Sequence, residues 1–157
     1  MTELGAAMAA HPRIVSLDLS HNELGDDGAA LLADAVLRAA APSLTALSVA
    51  ANGIRAAGAA ALAASLDSNA TLRYLDLGAN DLGDDGARAL ADALARLSWC
   101  QLLRELDVSS QAAAVGATAR KGLRAAAARR SGFRLVLRPK GDRLAAGCCL
   151  PCVGGSG

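Results

Sequence analysis

The side chains in this sequence best equipped for chemistry are carboxylates, and they recur. Asp18, Asp76 and Asp107 each stand between two apolar residues, in Leu17-Asp18-Leu19, Leu75-Asp76-Leu77 and Leu106-Asp107-Val108. Two aspartate pairs, Asp26-Asp27 and Asp84-Asp85, each precede a glycine. Neighbouring acids can share a proton, hold a cation or attract a basic surface. A calcium loop needs alternating acidic ligands and a distal glutamate, and neither pair has them. The two histidines, His11 and His21, do not combine with a serine and an aspartate into a nucleophilic set. A phosphate-cradling G-x-x-x-x-G-K loop is also missing. The expectation is therefore a chain that is not an enzyme, with no cofactor, no metal and no small-molecule substrate. The aspartate pairs are expected at helix starts, where carboxylates cap free N–H groups and suit the positive end of the dipole.

Sulfur is the other reactive group. Cys100 follows Trp99 and reads as a packing residue, whereas Cys148, Cys149 and Cys152 crowd the tail as Cys-Cys-Leu-Pro-Cys. Three thiols without a nearby histidine fall short of a four-ligand zinc site. A disulfide framework does not suit a chain lacking a secretion signal. The chain ends Gly-Gly-Ser-Gly, which is not a prenylation signal. Two readings stay open: incidental thiols in a disordered tail, or S-acylation of Cys148, Cys149 and Cys152. An acyl chain beside a basic stretch would give two weak membrane signals acting together.

The carboxylates sit in a phrase that returns. It reads Ile14-x-x-Leu17-x-Leu19-x-x-Asn22-x-Leu24, then Leu44-x-x-Leu47-x-Val49-x-x-Asn52-x-Ile54, then Leu72-x-x-Leu75-x-Leu77-x-x-Asn80-x-Leu82. A weaker fourth copy is Leu103-x-x-Leu106-x-Val108-x-x-Gln111. Anchors 30, 28 and 31 residues apart mean one supersecondary unit stacked on itself. The alternating Leu-x-Leu core of the phrase predicts a half-buried strand. Gly28, Gly58 and Gly86 follow at a constant offset and open alanine-rich helical segments. Leu32 and Val36, Leu62 and Leu66, and Leu90 and Leu94 fall on one helical face. A single unit cannot bury that face alone, but stacked units share a core. The recurring asparagine has both donors and acceptors to satisfy buried turn backbone. The alternative for Asn22, Asn52 and Asn80 is an exposed turn position.

These residues resemble leucine-rich repeats of the ribonuclease-inhibitor type. Leu-Asp-Leu-Ser-His-Asn-Glu-Leu-Gly-Asp-Asp-Gly (17–28) and Leu-Asp-Leu-Gly-Ala-Asn-Asp-Leu-Gly-Asp-Asp-Gly (75–86) carry nearly the whole pattern. The resemblance covers about residues 1–137. It implies an α/β leucine-rich-repeat solenoid, a short horseshoe with parallel strands on the concave face and helices on the convex face. Family members include nuclease inhibitors, the repeat portions of innate-immune sensors and activators of the Ran GTPase. They share protein binding through the concave surface and its rim. Function carried over this way rests on analogy. The expected organisation is a repeat domain over 1–137, with a half-unit helix at 1–12, units at 13–42, 43–70, 71–101 and 102–131, and a terminal strand at 132–137. Leu4 and Met8 match the helix of a preceding unit, which is either an N-terminal cap or a sign that the chain is a piece of a longer solenoid; the chain reads as such a piece or as a small accessory protein. A flexible, basic, Cys-containing tail follows at 138–157. The fourth unit departs from the pattern, with Gln111 for asparagine and no glycine at Ala117, as terminal repeats often do.

Composition narrows the field further. Only one Phe, one Trp and one Tyr occur, so the core is thin in aromatic area and modest stability is expected. Neither a long uncharged apolar run nor a signal peptide is evident, which makes a cytoplasmic or nuclear location the default expectation. The formal net charge of +1 hides a split: residues 1–110 carry 7 basic and 14 acidic side chains, and residues 111–157 carry 9 basic and 1 acidic. Such asymmetry fits an anionic partner or surface, or a merely solvated helix face and tail. Nucleic acid is disfavoured, because aromatic platforms and a binding motif are missing.

On strands of this form the residue between the last two apolar positions faces outward. Asp18, Ser48, Asp76 and Asp107 should then form one row and Ser16, Ala46, Tyr74 and Glu105 another, with Ser20, Ala50, Gly78 and Ser109 beyond. The result is an acidic stripe with Tyr74 near its middle. It reads either as a site for a basic protein surface, through Ser16, Asp18, Ser48, Tyr74, Asp76, Glu105 and Asp107, or as what this repeat type commonly carries. Three functions follow: a non-enzymatic protein-interaction module, a regulator of a small GTPase, and a membrane-tethered adaptor acting through an acylated basic tail. Head-to-tail self-association, basic end to acidic stripe, is a further expectation.

Overall fold

The computed structural model describes residues 10–11, 13–38, 43–96, 102–112 and 114–138, apart from the side chains of Val36 and Arg38. Leu4, Met8, Trp99, Cys100, Lys140, Arg143 and the tail cysteines Cys148, Cys149 and Cys152 lie outside the described residues.

Each repeated phrase folds as a short strand: β1 (Ser16–Asp18), β2 (Ala46–Ser48), β3 (Tyr74–Asp76), β4 (Glu105–Asp107) and β5 (Arg134–Val136). They pair in parallel, in chain order, into one sheet. The register is the one the repeat dictates, with Leu17, Leu47, Leu75, Leu106 and Leu135 aligned across all five strands. Parallel neighbours need a long crossover, and helices supply it. These are α1 (Gly25–Leu32), continued by a π-helical segment (Ala33–Arg38), then α2 (Ala56–Leu66), α3 (Gly83–Arg96) and α4 (Ala117–Ala128). Leucines from the strands and from the inner helix faces form a single core. Leu32, Leu62, Leu66, Leu90 and Leu94 are buried there as the spacing predicts, and the wider π turn carries Leu37 in as well.

The asparagines form a ladder inside the turns. Asn52 Oδ1 accepts the Asn22 and Leu24 amides, while its Nδ2 donates to the Leu19 and Ala50 carbonyls. Asn80 repeats this one unit on, accepting from Asn52 N and Ile54 N. Gln111 fills the same role in the irregular fourth unit: its side chain accepts from Leu82 N and donates to Leu77 O and Ser109 O. Only Asn22, at the first strand, is exposed.

The aspartate pairs stand at helix starts as expected, but the amides that Asp26 and Asp84 cap belong to the next helix. Asp26 does not cap its own helix. Its Oδ1 accepts the amides of Arg55 and Gly58 at the start of α2, both at 2.8 Å. Asp84 likewise accepts from Gly116 N at the start of α4. Each carboxylate sits in the first turn of its own helix but is placed beside the free N–H groups of the next.

That shared bond also corrects the alignment of the fourth unit. Gly116 is the counterpart of Arg55, so Ala119, not Ala117, takes the place of Gly58, and Leu123 that of the buried Leu62. The turn between Gln111 and α4 is two residues longer than its counterpart between Asn52 and α2.

Candidate functional site

The alternation of the strands puts two rows of side chains on the outer sheet face. Ser16, Ala46, Tyr74, Glu105 and Arg134 align as one row, and Asp18, Ser48, Asp76, Asp107 and Val136 as the other. Both rows expected from the sequence therefore exist, and each continues into β5. The sequence reading missed Arg134, whose Nη1 reaches both carboxylate oxygens of Glu105, the nearer at 3.1 Å. Continuing the Leu-x-Leu register one unit further would have found it.

The stripe is less open than its sequence suggests. Ser48 is 4% exposed and Asp107 7%, Asp76 and Tyr74 are half-buried, and Asp18 and Ser16 are exposed. The aspartates are also engaged. Asp18, Asp76 and Asp107 each accept the amide two residues on, from Ser20, Gly78 and Ser109, which closes the turn leaving the strand. Ser48 and Asp107 thus serve the strand ends more than an incoming surface.

A chain of oxygens links two of these acids across three strands. Ser20 Oγ donates to Asp18 Oδ1 at 2.6 Å, Ser20 Oγ and Ser48 Oγ lie 2.8 Å apart, and Ser48 Oγ is 3.0 Å from Asp76 Oδ2. Three contacts are spanned by only two hydroxyl hydrogens, since each serine supplies one. With Ser20 donating to Asp18 and Ser48 to Asp76, the Ser20–Ser48 contact gains a hydrogen only when one of the two carboxyls is protonated. Asp76 is the more readily protonated of the two: burial pushes its pKa up, and the charges of Asp107 and Asp18 add to this, while the Gly78 amide and the Ser48 hydroxyl act in the opposite direction. Asp18 is held below the usual carboxylate range by the hydroxyl and amide of Ser20 and by His21, against a small desolvation effect. Among the described residues no group of three or more His, Cys, Asp or Glu side chains gathers as a metal site. Nor is any described helix long and apolar enough to cross a membrane.

The phrase itself is a known one. A family model described as "Leucine Rich repeat" matches residues 13–33, 40–63 and 68–91. Human NACHT, LRR and PYD domains-containing protein 12 is 39% identical over 92 residues, which is 59% of this chain and 9% of that protein. Pig (Sus scrofa) ribonuclease inhibitor is 37% identical over 92 residues, 59% of this chain and 20% of the inhibitor. This is a leucine-rich-repeat chain of the ribonuclease-inhibitor type. It spans about a tenth to a fifth of the length of those relatives. Two solved structures share the fold of this leucine-rich-repeat chain. One is leiomodin-1 actin-binding site 2 (TM-score 0.75, 17% identity, 86% of this chain and 77% of that one). The other is a tropomodulin C-terminal domain from a Caenorhabditis elegans study (TM-score 0.69, 14% identity, 85% and 81%). The parallel sheet backed by helices is thus an α/β leucine-rich-repeat solenoid, and a solenoid of this kind is in general a protein-interaction module.

Proposed function

We propose that this chain is a non-enzymatic interaction module whose concave sheet face binds a basic surface of a partner protein. The observation that carries this reading is the register that sets Tyr74 between Ala46 and Glu105, beside Asp76. A half-buried tyrosine flanked by an alanine offers rigid apolar area with a polar tip, the kind of residue enriched at interface hot spots. Asp18 supplies an exposed carboxylate on the same face. Arg134 neutralises Glu105 at one end of the row, so negative charge concentrates toward β1 and β3. The contact set of this proposal is therefore Ser16, Asp18, Tyr74, Asp76 and Glu105, with Ser48 and Asp107 supporting the strand ends. The similarity to ribonuclease inhibitor and to the sensor proteins agrees with protein binding in general and supplies no partner name.

The test compares partners captured from native lysate by the wild-type chain and by an Asp18→Ala, Tyr74→Ala double variant, quantified by mass spectrometry. Both side chains can be truncated without opening the leucine core, and circular dichroism checks that the fold survives. Partners that vanish with the variant support the concave face. Equal capture by both chains removes the concave face as the binding surface.

A further inference from the structure

The last described unit, β5 with α4, presents a surface unlike the interfaces between the units before it. In α1 with its π-helical continuation, α2 and α3 the positions that meet the following helix are alanines: Ala29 and Ala33, Ala59 and Ala63, Ala87 and Ala91, all buried. Their packing role is visible at the glycines opposite, where a Cβ added to Gly58 would lie 3.0 Å from Ala29 Cβ and one added to Gly86 3.2 Å from Ala59 Cβ. In the corrected alignment of α4 the same two positions are Arg120 and Arg124. Two guanidinium groups set against another alanine-lined helix would be desolvated with only the Arg120 Nε bond to Val115 O in compensation, which is costly. The end face therefore selects for something other than one more repeat of this kind.

Three features describe what would fit. The first is a strand edge that no described residue pairs with. Arg134 N, Val136 O and Arg138 O are all used by β4, through Arg104 O, Val108 N and Ser110 N. In a parallel ladder alternate residues bond to opposite sides, so Leu135 and Leu137 direct their N–H and C=O groups away from β4. Such an edge accepts a further extended segment. The second is apolar. Leu135 and Leu137 are half-buried, whereas their counterparts Leu106 and Val108 are buried under the following unit. They open into two hollows, one with Ala127 and Phe133, the other with Val108 and Val115. The third is charge. Arg124 and Arg130 line the first hollow, and Arg120 and Arg138 the second. From Val108 to Arg138 the sequence has seven basic residues and no acidic one.

We propose that the β5–α4 end docks an extended acidic segment of a partner protein, added as a sixth parallel strand. Its inward side chains, apolar and acidic, enter the two hollows and meet Arg120 and Arg124 there, and its outward carboxylates meet Arg138 on the outer face. The chain's own residues 139–157 lack the complementary charge, with Lys140 and Arg143 against Asp142 alone.

The probe is a short fluorescein-labelled peptide of glutamate with leucine or valine, with glutamates on both faces of the strand, read by anisotropy against the full chain. Binding should weaken at least about tenfold when the glutamates become glutamines, and again when every second amide is N-methylated so that it cannot join a ladder. It should also be lost in an Arg124→Glu, Arg138→Glu variant, both side chains being exposed, but kept in an Arg55→Glu, Arg73→Glu variant with the same change in net charge. No binding by the acidic peptide overturns the proposal. Equal loss in both arginine variants, or indifference to N-methylation, reduces the effect to general electrostatics and overturns strand addition. Concentration-dependent self-association that only the Arg124→Glu, Arg138→Glu variant abolishes makes a second copy the occupant. Anionic vesicles or duplex nucleic acid bound in place of the peptide, with the same arginine dependence, overturn the peptide reading in their own favour.

Discussion

Asp26 belongs to the helix of the first unit, yet its carboxylate bonds the amide of Gly58, in the helix of the second, at 2.8 Å. The same oxygen accepts from Arg55 N, so one side chain satisfies two of the free N–H groups at the start of α2. Gly58 has to be a glycine for this contact: a Cβ there would stand 2.7 Å from Asp26 Oδ1 and 2.8 Å from Ile54 Cγ2. The second unit carries Ala56 where the first has Asp26, so the repeat uses this inter-unit cap intermittently. Replacing Asp26 by Ala should cost about 1 kcal/mol, the usual worth of a cap. Urea denaturation measures the loss, and amide exchange should show it at Arg55 and Gly58 before it shows in α1. Protection lost first in α1 would mean that Asp26 serves its own helix instead.

Asn80 is the most heavily committed side chain of the ladder. It accepts from Asn52 N and Ile54 N and donates to Val49 O, Leu77 O and Gly78 O, all within 3.2 Å. Removing it leaves several buried backbone groups without partners, at about 1–3 kcal/mol for each that water cannot reach. Asn80→Ala should therefore lower stability by roughly 3 kcal/mol or more. Asn80→Asp is the sharper test. It keeps the acceptor, loses the donors and places a charge against three carbonyls, so it should be worse than alanine at neutral pH and recover as the medium is acidified. An Asn80→Asp chain as stable as wild type at neutral pH would mean that the turn is open to solvent.

How legible this was in the sequence depended on how local each cause is. The strands, their register and the asparagine ladder follow from a phrase whose apolar spacing repeats, because stacking leaves only one register that buries Leu47, Leu75 and Leu106 together. The destination of Asp26 was not legible, since a helix-start aspartate looks the same whether it caps its own helix or the next. The place of α4 was misjudged by two residues because the glycine that marks the helix start gives way to Ala119. The buried Leu123 would have been the safer landmark. The two outer rows were correctly composed, but the burial of Ser48 and Asp107 was not foreseen. It depends on how closely neighbouring strands cover those positions, which periodicity does not encode.

The turns after the strands hold a strain that no apolar pattern reveals. His21, Ala51, Ala79 and Ser110, each directly before its ladder residue, all adopt positive φ, between 53° and 61°. For a side chain other than glycine this region costs roughly 1–2 kcal/mol. Ala79 is exposed and makes no side-chain contribution to the core. Ala79→Gly should relieve the strain at the expense of some unfolded-state entropy, for a net gain of up to about 1 kcal/mol. The same change at Ala64, an exposed position inside α2, should destabilise by about 1 kcal/mol. Thermal melts of the two variants should move in opposite directions, and parallel shifts would show that the turn is unstrained.

The oxygen chain from Asp18 to Asp76 gives the concave face a pH dependence whose sign can be stated. Asp76 has a raised pKa in the folded chain, so its contribution to stability is complete below the unfolded value of about 3.9 and is lost as pH rises through its folded pKa. Asp18 is lowered, so its contribution holds above about 3.9 and is lost as pH falls through its own folded pKa. Asn is the natural imitation of a protonated Asp76: its oxygen can accept from Gly78 N while its amide donates to Ser48 Oγ. Asp76→Asn should therefore stabilise the chain at neutral pH, with the advantage shrinking as the pH is lowered. Carboxyl-carbon NMR should find Asp76 titrating well above Asp18. Protonation of Asp76 also bears on binding, because a basic partner gains only from the ionised form. Affinity should thus fall as pH drops through the titration of Asp76 and stay level in Asp76→Asn. If Asp76 titrates at or below Asp18, the third hydrogen of the chain does not reside there, and the Ser20–Ser48 contact must open in solution.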